Sequence, residues 1–463
     1  MTLCKDVRVA DVERIFKAYD IRGLVPSQLD EQVARRIGAA FAAEVAGSSG
    51  RDAVVIGHDM RTSSPGLASA LADGVRSRGT DVVMIGPAST DMLYFASGSL
   101  ALAGAMVTAS HNPAGYNGIK LCRPGAVAMS TETGLDAIRR RLGDAGPGVP
   151  AGAEGTLERR DVLEPYAAYL NALVEVSGRR LHVVVDAANA MAGLTAPAVF
   201  AGIDLDLTPL YFELDGTFPH HEANPLEAAN LVDLQVEVVR VGADLGLAFD
   251  GDADRCFVVD EQGRVVAPSA LTALIAVGEL ARQPGAHVIH NLITSRAVPE
   301  TIERHGGIPV RTKVGHSLIK ATMARTNAVF GGEHSGHFYF RDFWYADSGM
   351  LAALHLMAAL AGTSEPVSAL VAGYHPYAAS GEINATVTDV PTVLEAIATS
   401  FGGTDGVALD NLDGLTVTGP TWWFNVRPSN TEPVLRLNVE ADDAATMGRI
   451  RDEVLSRIGS ADA

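Results

Sequence analysis

Residues 182–200 read HVVVDAANAMAGLTAPAVF, a run of valines followed by a turn of small and polar residues and an apolar stretch at helical spacing. The same order recurs in AVVIGHDMRTSSPGLASALADGV at 53–75 and in HVIHNLITSRAVPETIERHG at 287–306. Continuous Val/Ile strands followed by helices are typical of parallel or mixed sheets with helices on both faces. The repetition therefore predicts three consecutive, related α/β domains.

Glycine and proline cluster between these repeats, at 142–155, 260–269 and 370–382. After the third cluster the pattern changes to short alternating strands and one closing helix, which is typical of an α+β domain. We therefore expect three α/β domains and a smaller α+β domain at the carboxyl terminus, with boundaries at 1–153, 154–263, 264–374 and 375–463.

Charge and cysteine content narrow the class of protein. Lys and Arg number 36 against 55 Asp and Glu, and the formal net charge of −19 would repel nucleic acids and anionic membranes. The cysteines Cys4, Cys122 and Cys256 are far apart in sequence, and the amino terminus lacks an apolar leader, so we expect a cytoplasmic protein. The uncharged stretch 92–110 contains serines and glycines, which favours a buried helix and strand over a membrane span. We expect a monomer or homodimer.

The stretch FDGDADRC at 249–256 places Asp250, Asp252 and Asp254 at alternate positions. Three carboxylates this close repel one another unless a cation lies among them, and ligands that are all oxygen favour Mg²⁺, Mn²⁺ or Ca²⁺ over zinc. A calcium EF-hand is excluded, because Arg255 stands where that loop requires glycine and the flanks have the pattern of strands. A solvated acidic turn is the alternative interpretation.

A serine and a histidine are adjacent in VTASHNPAGYNGIK at 107–120. Neighbours in an extended chain point to opposite sides, so we expect that Ser110 and His111 do not form a nucleophile and its base. A serine at the carboxyl end of a parallel strand lies where such sheets bind ligands, and with a cation and Lys120 nearby the chemistry it favours is phosphoryl transfer. A serine that merely caps the next turn remains the alternative.

Two further motifs suit a sugar phosphate. The loop GGEHSGHFYF at 331–340 favours sugar hydroxyls over zinc, with one histidine as general acid or base, and KVGHS at 313–317 lies upstream of it. Near the carboxyl terminus, NVRPSNTEPVLRL at 425–437 gathers guanidinium, hydroxyl and amide groups suited to a phosphate, although an ordinary surface turn has the same composition. FKAYDIRG at 16–23 adds Arg22, which could likewise contact a phosphate or lie in an ordinary surface turn.

Taken in order, YDIRG, TASHNPAGYNGIK, DGDADR, GEHSGH and RPSNTEP resemble the motifs of the α-D-phosphohexomutase superfamily, in particular its bacterial phosphomannomutase/phosphoglucomutase branch. The matches fall in all four predicted domains. The resemblance implies a heart-shaped architecture of four domains around a central cleft.

The resemblance also implies roles for the phosphoryl-transfer residues. Ser110 would carry the phosphoryl group, and three aspartates would bind Mg²⁺ together with a phosphoserine oxygen: Asp250, Asp252 and Asp254. Three basic side chains would neutralise the phosphate in transit: Arg22, Lys120 and Arg255. His111 would orient the phosphoserine loop.

Further residues would contact the substrate. His316 and His337 resemble the acid/base candidates, and Glu333 and Ser335 the readers of sugar hydroxyls. The phosphate that is not transferred would be gripped near Arg436 by the loop that contains Arg427, Ser429, Asn430 and Thr431. Tyr19 and Lys313 complete the expected substrate-binding set.

The implied reaction interconverts mannose 6-phosphate and mannose 1-phosphate through a hexose 1,6-bisphosphate, with glucose or mannose 1,6-bisphosphate as activator. A phosphoglucomutase and a phosphoglucosamine mutase are alternatives within the superfamily, and a metal-dependent serine phosphatase is the alternative outside it. His334 and Val314 stand where the branch often has methionine and threonine, which leaves the choice between mannose and glucose open. The resemblance suggests a route to GDP-mannose.

Overall fold

The structure is a computed structural model that describes residues 14–47, 53–143, 153–428 and 434–461. Across these residues no helix is both long and apolar enough to cross a bilayer. The described chain forms four sheets, and each sheet takes its strands from one continuous part of the sequence.

The first sheet is built from the amino-terminal third of the chain. Its elements are β1 (Ile21–Leu24), α1 (Glu31–Val45), β2 (Ala53–His58), α2 (Ser64–Arg76), β3 (Asp81–Pro87), α3 (Thr90–Leu100), β4 (Ala103–Val107), β5 (Tyr116–Arg123), β6 (Val127–Ala128), α4 (Asp136–Gly143) and β7 (Leu157–Arg159). The strand order is β1-β5-β4-β2-β3-β7, with β6 on β5. The stretch 92–110 is helix and then strand, as expected.

The second sheet repeats this plan on a smaller scale. Its elements are α5 (Leu163–Leu173), β8 (Leu181–Asp186), α6 (Ala192–Phe200), β9 (Leu205–Leu210), α7 (Val232–Val241), β10 (Leu245–Phe249), β11 (Cys256–Asp260) and β12 (Val265–Val266). The order is β12-β11-β10-β8-β9. Strands β9, β8 and β10 are parallel, and β11 returns antiparallel to β10.

The third sheet follows the same rule. Its elements are α8 (Pro268–Arg282), β13 (His287–Asn291), α9 (Ala297–Arg304), β14 (Ile308–Thr312), α10 (His316–Thr326), β15 (Phe330–Gly332), β16 (Phe338–Phe340), β17 (Ala346–Asp347), α11 (Gly349–Ala361) and α12 (Val367–Ala372). The order is β14-β13-β15-β16-β17, with parallel pairs first and antiparallel pairs after β15.

The fourth sheet is different. Its elements are β18 (Ala378–Thr386), α13 (Val390–Phe401), β19 (Ala408–Asp410), β20 (Leu415–Thr418), β21 (Trp422–Pro428), β22 (Val434–Ala441) and α14 (Ala444–Ala461). All its pairs are antiparallel, in the order β18-β22-β21-β20-β19. The predicted fold class is confirmed: three related α/β sheets and one α+β unit.

One strand crosses a predicted boundary. β7 comes after residue 153, where the sequence analysis ended the first domain, yet it pairs in parallel with β3 of the first sheet. A three-residue strand is too short for hydrophobic periodicity to assign, so the boundary rested on the glycine-rich stretch before it.

The first three units share one hydrophobic core, whereas the fourth has its own. One continuous cluster of buried apolar side chains runs from Ala53 to Val371 and joins elements of the first three sheets. The fourth unit has a cluster of its own, with members from Val393 to Ile458. Burial of apolar surface therefore ties the first three units together, whereas the fourth is stabilised mainly from within.

Candidate active site

Ser110 lies just beyond β4, at the carboxyl end of that strand. It is fully buried and has the left-handed φ of +51°. Its Oγ donates a hydrogen bond to Asp250 Oδ2 (2.6 Å), and its backbone N–H donates to Thr108 Oγ1 (2.9 Å). A Cβ added at Gly251 would lie 2.3 Å from the Ser110 carbonyl oxygen, so only glycine fits at this crossing. Serine and acidic loop are thus in direct contact.

The expectation that Ser110 and His111 point to opposite sides is wrong. Ser110 Oγ lies 3.3 Å from His111 Nδ1, because the left-handed residue turns the chain out of the extended conformation. That Nδ1 also lies 3.0 Å from an Arg255 guanidinium nitrogen. Burial, then the charges of Arg255 and Arg22, hold the pKa of His111 well below its usual range. A neutral His111 that accepts a hydrogen bond from Arg255 is the arrangement these groups favour.

Asp250, Asp252 and Asp254 lie in the turn between β10 and β11 and are buried. Lys120 Nζ bridges two of them, 2.6 Å from Asp252 Oδ2 and 2.5 Å from Asp254 Oδ2. Burial, with Asp254 and Asp252 as neighbours, raises the pKa of Asp250 to about 7. Burial also acts to raise the pKa of Asp254, but Lys120 and His337 outweigh it, and that pKa lies well below its usual range.

The three carboxylates fit a divalent cation. Each offers one oxygen, and these oxygens all lie within 4.8 Å of one another. Within the described part of the chain, Asp252 Oδ1 and Asp254 Oδ1 are buried without a hydrogen-bond partner. Unpaired buried carboxylate oxygens are costly, and an oxygen-only donor set suits Mg²⁺.

Basic side chains surround the serine. Arg22 on β1 donates to Asn112 Oδ1 (2.5 Å) and to the Ala109 carbonyl (3.3 Å), so it braces the turn that follows Ser110. Arg255 Nε lies 3.5 Å from Asp250 Oδ2. Together with Lys120 they place three cations on the serine loop and the adjoining aspartate turn, an arrangement that can neutralise a phosphoryl group.

His337 reaches this cluster from the third sheet. Its Nε2 lies 3.3 Å from Arg255 Nε and 3.5 Å from Asp254 Oδ1, and its Nδ1 lies 3.0 Å from Ser335 Oγ. Burial and Arg255 act to lower the pKa of His337, but Asp254 and Asp347 outweigh them and raise it. His337 is therefore the acid/base candidate in direct contact with the aspartate cluster.

The predicted sugar loop is the turn between β15 and β16. Glu333 is buried there and accepts hydrogen bonds from the Tyr339 hydroxyl and from Asn291 Nδ2, the latter at 3.1 Å. His334, next to it, is partly exposed, and burial lowers its pKa. The loop therefore presents a carboxylate fixed by two donors beside a neutral imidazole.

The remaining substrate candidates lie on either side of this loop. Lys313 is exposed just after β14, and His316 begins α10, with its side chain outside the described part. Tyr19 packs on the turn between them: a Cβ at Gly315, where φ is +140°, would lie 2.5 Å from the Tyr19 hydroxyl. The first and third units therefore touch at this edge.

On the fourth sheet, Arg427 and Arg436 are paired across β21 and β22. Both contact Glu382, at 3.2 Å and 3.1 Å. The other predicted residues of this loop, Ser429, Asn430 and Thr431, lie outside the described residues.

Sequence reasoning missed Arg61, which is 1% exposed. Its guanidinium donates to the carbonyl oxygens of Ser110 (2.7 Å), Asn112 (2.6 Å), Pro113 (2.8 Å) and Tyr116 (3.0 Å), and its Nε donates to Asp59 (3.2 Å). The available signal was a charged pair, Asp59 and Arg61, directly after the apolar strand β2.

Residues at the start of α3 were also missed. Thr90 Oγ1 donates to Asp252 Oδ2 (2.5 Å), and the Thr90 N–H donates to the Asp252 carbonyl (2.9 Å). Asp91 Oδ2 accepts from the hydroxyls of Tyr166 and Ser348, each at 2.6 Å. One helix start thus binds the aspartate turn and two neighbouring units.

Comparison with known proteins gives one consistent family. Four phosphoglucomutase/phosphomannomutase profiles match in order: α/β/α domain I over residues 13–145, domain II over 164–263, domain III over 268–377 and the C-terminal domain over 382–457. Among relatives, a protein of Xanthomonas campestris pv. campestris named "Phosphohexose mutases" is 41% identical over 448 residues, 96% of this chain and 98% of that protein.

An Escherichia coli phosphomannomutase is 38% identical over 452 residues, 95% of this chain and 98% of its own. A crystal structure from Burkholderia thailandensis, described as a phosphoglucomutase/phosphomannomutase family protein, is 36% identical with a TM-score of 0.88. It covers 96% of this chain and 97% of that one.

Proposed function

Since the chain belongs to the phosphoglucomutase/phosphomannomutase family, we propose that it is a phosphomannomutase, an isomerase that interconverts mannose 6-phosphate and mannose 1-phosphate. One observation supports this most directly: Ser110 Oγ donates to Asp250 at the edge of a buried three-aspartate cluster. A hydroxyl in that position can carry a phosphoryl group and pass it on.

In the proposed cycle, Ser110 Oγ carries a phosphoryl group at rest. A free hydroxyl of the hexose phosphate attacks its phosphorus as the P–Oγ bond breaks. The attacking hydroxyl gives its proton to a general base, and the departing Ser110 Oγ takes up a proton, so that no proton is gained or lost overall. The product is a hexose 1,6-bisphosphate. It then reorients within the site, so that its other phosphate faces Ser110 and is transferred to the serine. His337 is the base that we favour, with His316 as second candidate.

The residues around Ser110 divide the work. A Mg²⁺ ion held by Asp250, Asp252 and Asp254 would supply charge neutralisation at the transferring phosphoryl group. Lys120, Arg22 and Arg255 add positive charge from the protein itself. Arg61, through its hydrogen bonds to loop carbonyls, holds Ser110 in place. His111 orients the same loop through Arg255.

The sugar would lie between the third and fourth units. Glu333 and Ser335 would read its hydroxyls, Tyr19 and Lys313 would line the entrance, and Arg427 and Arg436 would grip the phosphate that stays. Glucose phosphates are proposed as further substrates. Glucose and mannose are epimers that differ at one hydroxyl, and an active site distinguishes them strongly only where it hydrogen-bonds that hydroxyl specifically. His334 and Val314, near the expected sugar site, are the residues whose contacts would set this preference. Glucose or mannose 1,6-bisphosphate would activate the enzyme by phosphorylating Ser110.

Intact mass tests the proposal. Purified protein is incubated with glucose 1,6-bisphosphate and Mg²⁺, and a phosphate adduct of about 80 Da is mapped to Ser110. Mannose 6-phosphate should then remove the adduct as the bisphosphate appears, whereas Ser110→Ala should acquire none. Loss of the adduct to water alone, with free phosphate as product, would indicate a serine phosphatase and overturn the mutase cycle.

A further inference from the structure

The proposed phosphate grip contains a charge conflict. Arg427 on β21 and Arg436 on β22 are directly opposite in the antiparallel register, so their side chains project from the same face of the fourth sheet. Like charges in that position destabilise a sheet. Arg427 is also 3% exposed, and a buried guanidinium needs a partner anion.

Glu382 on β18 supplies that anion. One carboxylate oxygen lies 3.2 Å from Arg427 and the other 3.1 Å from Arg436, so a single side chain bridges both arginines. Glu382 is paired with Asn438, two residues beyond Arg436 on β22, which puts it on the same face. Val426 and Leu437 lie on the opposite face, in the apolar core of this unit.

The bridge leaves binding capacity on Arg427. Within the described residues, Arg427 Nε is buried and has no hydrogen-bond partner. Burial, opposed by Glu382, lowers the pKa of Arg427, as expected for a guanidinium taken out of water and only partly compensated. Glu382 thus offsets one of the two positive charges on the arginine pair, and the Asp413 and Glu333 carboxylates add a smaller opposing effect at Arg427.

We propose that Glu382 is a built-in counter-ion that weakens the phosphate grip enough for it to release the intermediate between the two half-reactions. This inference rests on the proposed function, because a mutase must let go of one phosphate of the bisphosphate and bind the other with the same residues. Each release breaks charge-assisted hydrogen bonds, and a grip with a higher net charge would hold the dianion longer.

The first test compares Glu382→Gln with Glu395→Gln. Glu395 is exposed on α13 of the same unit, so its variant removes the same charge away from the grip. For Glu382→Gln we expect the affinity for inorganic phosphate, measured by titration calorimetry, to rise roughly three- to thirtyfold. The KM for mannose 6-phosphate and kcat should both fall, and Glu395→Gln should change none of the three values.

Single-turnover experiments locate the effect. With the phosphorylated protein and mannose 6-phosphate, Glu382→Gln should form the bisphosphate at the normal rate but convert it to mannose 1-phosphate more slowly. Glu382→Asp keeps the charge but withdraws it from the arginines by one methylene, so its phosphate affinity should also rise, by less than that of Glu382→Gln.

A rise in KM and in the phosphate dissociation constant for Glu382→Gln would overturn the proposal, because Glu382 would then be needed to orient the arginines. Unchanged values would overturn it as well. If Glu382→Gln fails to fold, Glu382→Asp decides: weaker or unchanged phosphate binding with normal bisphosphate turnover contradicts a counter-ion role, whereas tighter binding with slower turnover supports it. Failure of the mutase proposal is distinguishable, since the natural protein would then show no interconversion at all.

Discussion

The Ser110 loop and the Arg427–Arg436 pair would each handle a phosphate, yet they are built differently. The serine loop is held by Arg61, by the aspartate turn and by the start of α3, all of them buried in the first three units, which share one large apolar cluster. The arginine pair is bridged by the Glu382 carboxylate, in a unit with a separate core. The difference suggests that the residue that carries the phosphoryl group is held rigidly. The arginine pair, which must bind and release a phosphate, has its positive charge only partly neutralised.

Contacts between units show the same contrast. Asp91 joins three units through buried hydroxyl groups, whereas Arg296 and Arg311 reach Asp442 and Asp410 of the fourth unit through partly exposed ion pairs. One buried group of the fourth unit, Glu440, also accepts a hydrogen bond from the Arg296 N–H. Partly exposed ion pairs contribute little stability. The fourth unit is therefore the one expected to move when substrate binds and leaves.

The largest effect is expected for Ser110→Ala, in the buried serine loop. Loss of the phosphoryl carrier should lower kcat by about 10⁴-fold or more, because no other hydroxyl touches Asp250 in the described chain. The measurement is conversion of mannose 6-phosphate to mannose 1-phosphate in a coupled assay. Turnover near the natural rate would place the chemistry elsewhere.

Removal of the metal is next in size. Chelation by EDTA, or Asp252→Asn, should lower kcat by about 10²- to 10³-fold, since the cluster without its cation repels the phosphate. Mg²⁺ should restore the chelated natural protein but not Asp252→Asn. An EDTA-treated protein with full activity and no bound metal by elemental analysis would contradict the proposed site.

Arg61→Lys tests whether the serine loop is held as rigidly as its contacts indicate. Lysine cannot reach four carbonyl oxygens and Asp59 together, so kcat should fall about 10- to 100-fold while KM changes less than about threefold. Steady-state kinetics give both values. A change confined to KM would show that Arg61 acts on substrate binding and not on the position of Ser110.

Asp91 allows the junction that it forms with Tyr166 and Ser348 to be tested by pH. Burial raises its pKa from the ordinary 3.8 to about 6, so between these values the folded protein holds a proton that the unfolded chain has lost. Stability from this group therefore falls, relative to Asp91→Asn, as pH rises through that window: by about 3 kcal/mol over the full window and by about 2 kcal/mol between pH 4.5 and 7.5. Urea unfolding of both proteins at pH 4.5 and 7.5 measures it. A constant difference between them would contradict the buried junction.

The smallest effect is expected at the contact between the third and fourth units. Arg311→Ala removes an exposed ion pair to Asp410 and one hydrogen bond to Thr416, so kcat and KM should each change less than about threefold. Lys313 lies nearby but is a proposed substrate contact, and Lys313→Ala should raise KM by more than that. A large loss for Arg311→Ala would show that the fourth unit is fixed more firmly than its contacts indicate.

Much of this fold was accessible from local pattern. Continuous Val/Ile runs and helical spacing predicted the three α/β units, because burial on both faces leaves a signal in every strand. The short strand β7 was misassigned, since three residues carry no period. The opposed orientation of Ser110 and His111 was also mispredicted, because a single left-handed residue is invisible in a pattern of residue types.

Residue types along the chain are enough to identify the chemical groups that this protein contains: a serine at a strand end, three alternating aspartates, a glycine-bounded Glu/His loop and an arginine pair. Which of these groups meet depends on the folding of the whole chain. Ser110 and Asp250 are 140 residues apart, and Arg427 contacts Glu382 across 45. Such contacts depend on strand order and on the packing of whole units. Arg61, Asp91 and Glu382 therefore gain their roles from what surrounds them in space, which no neighbouring residue in the chain records.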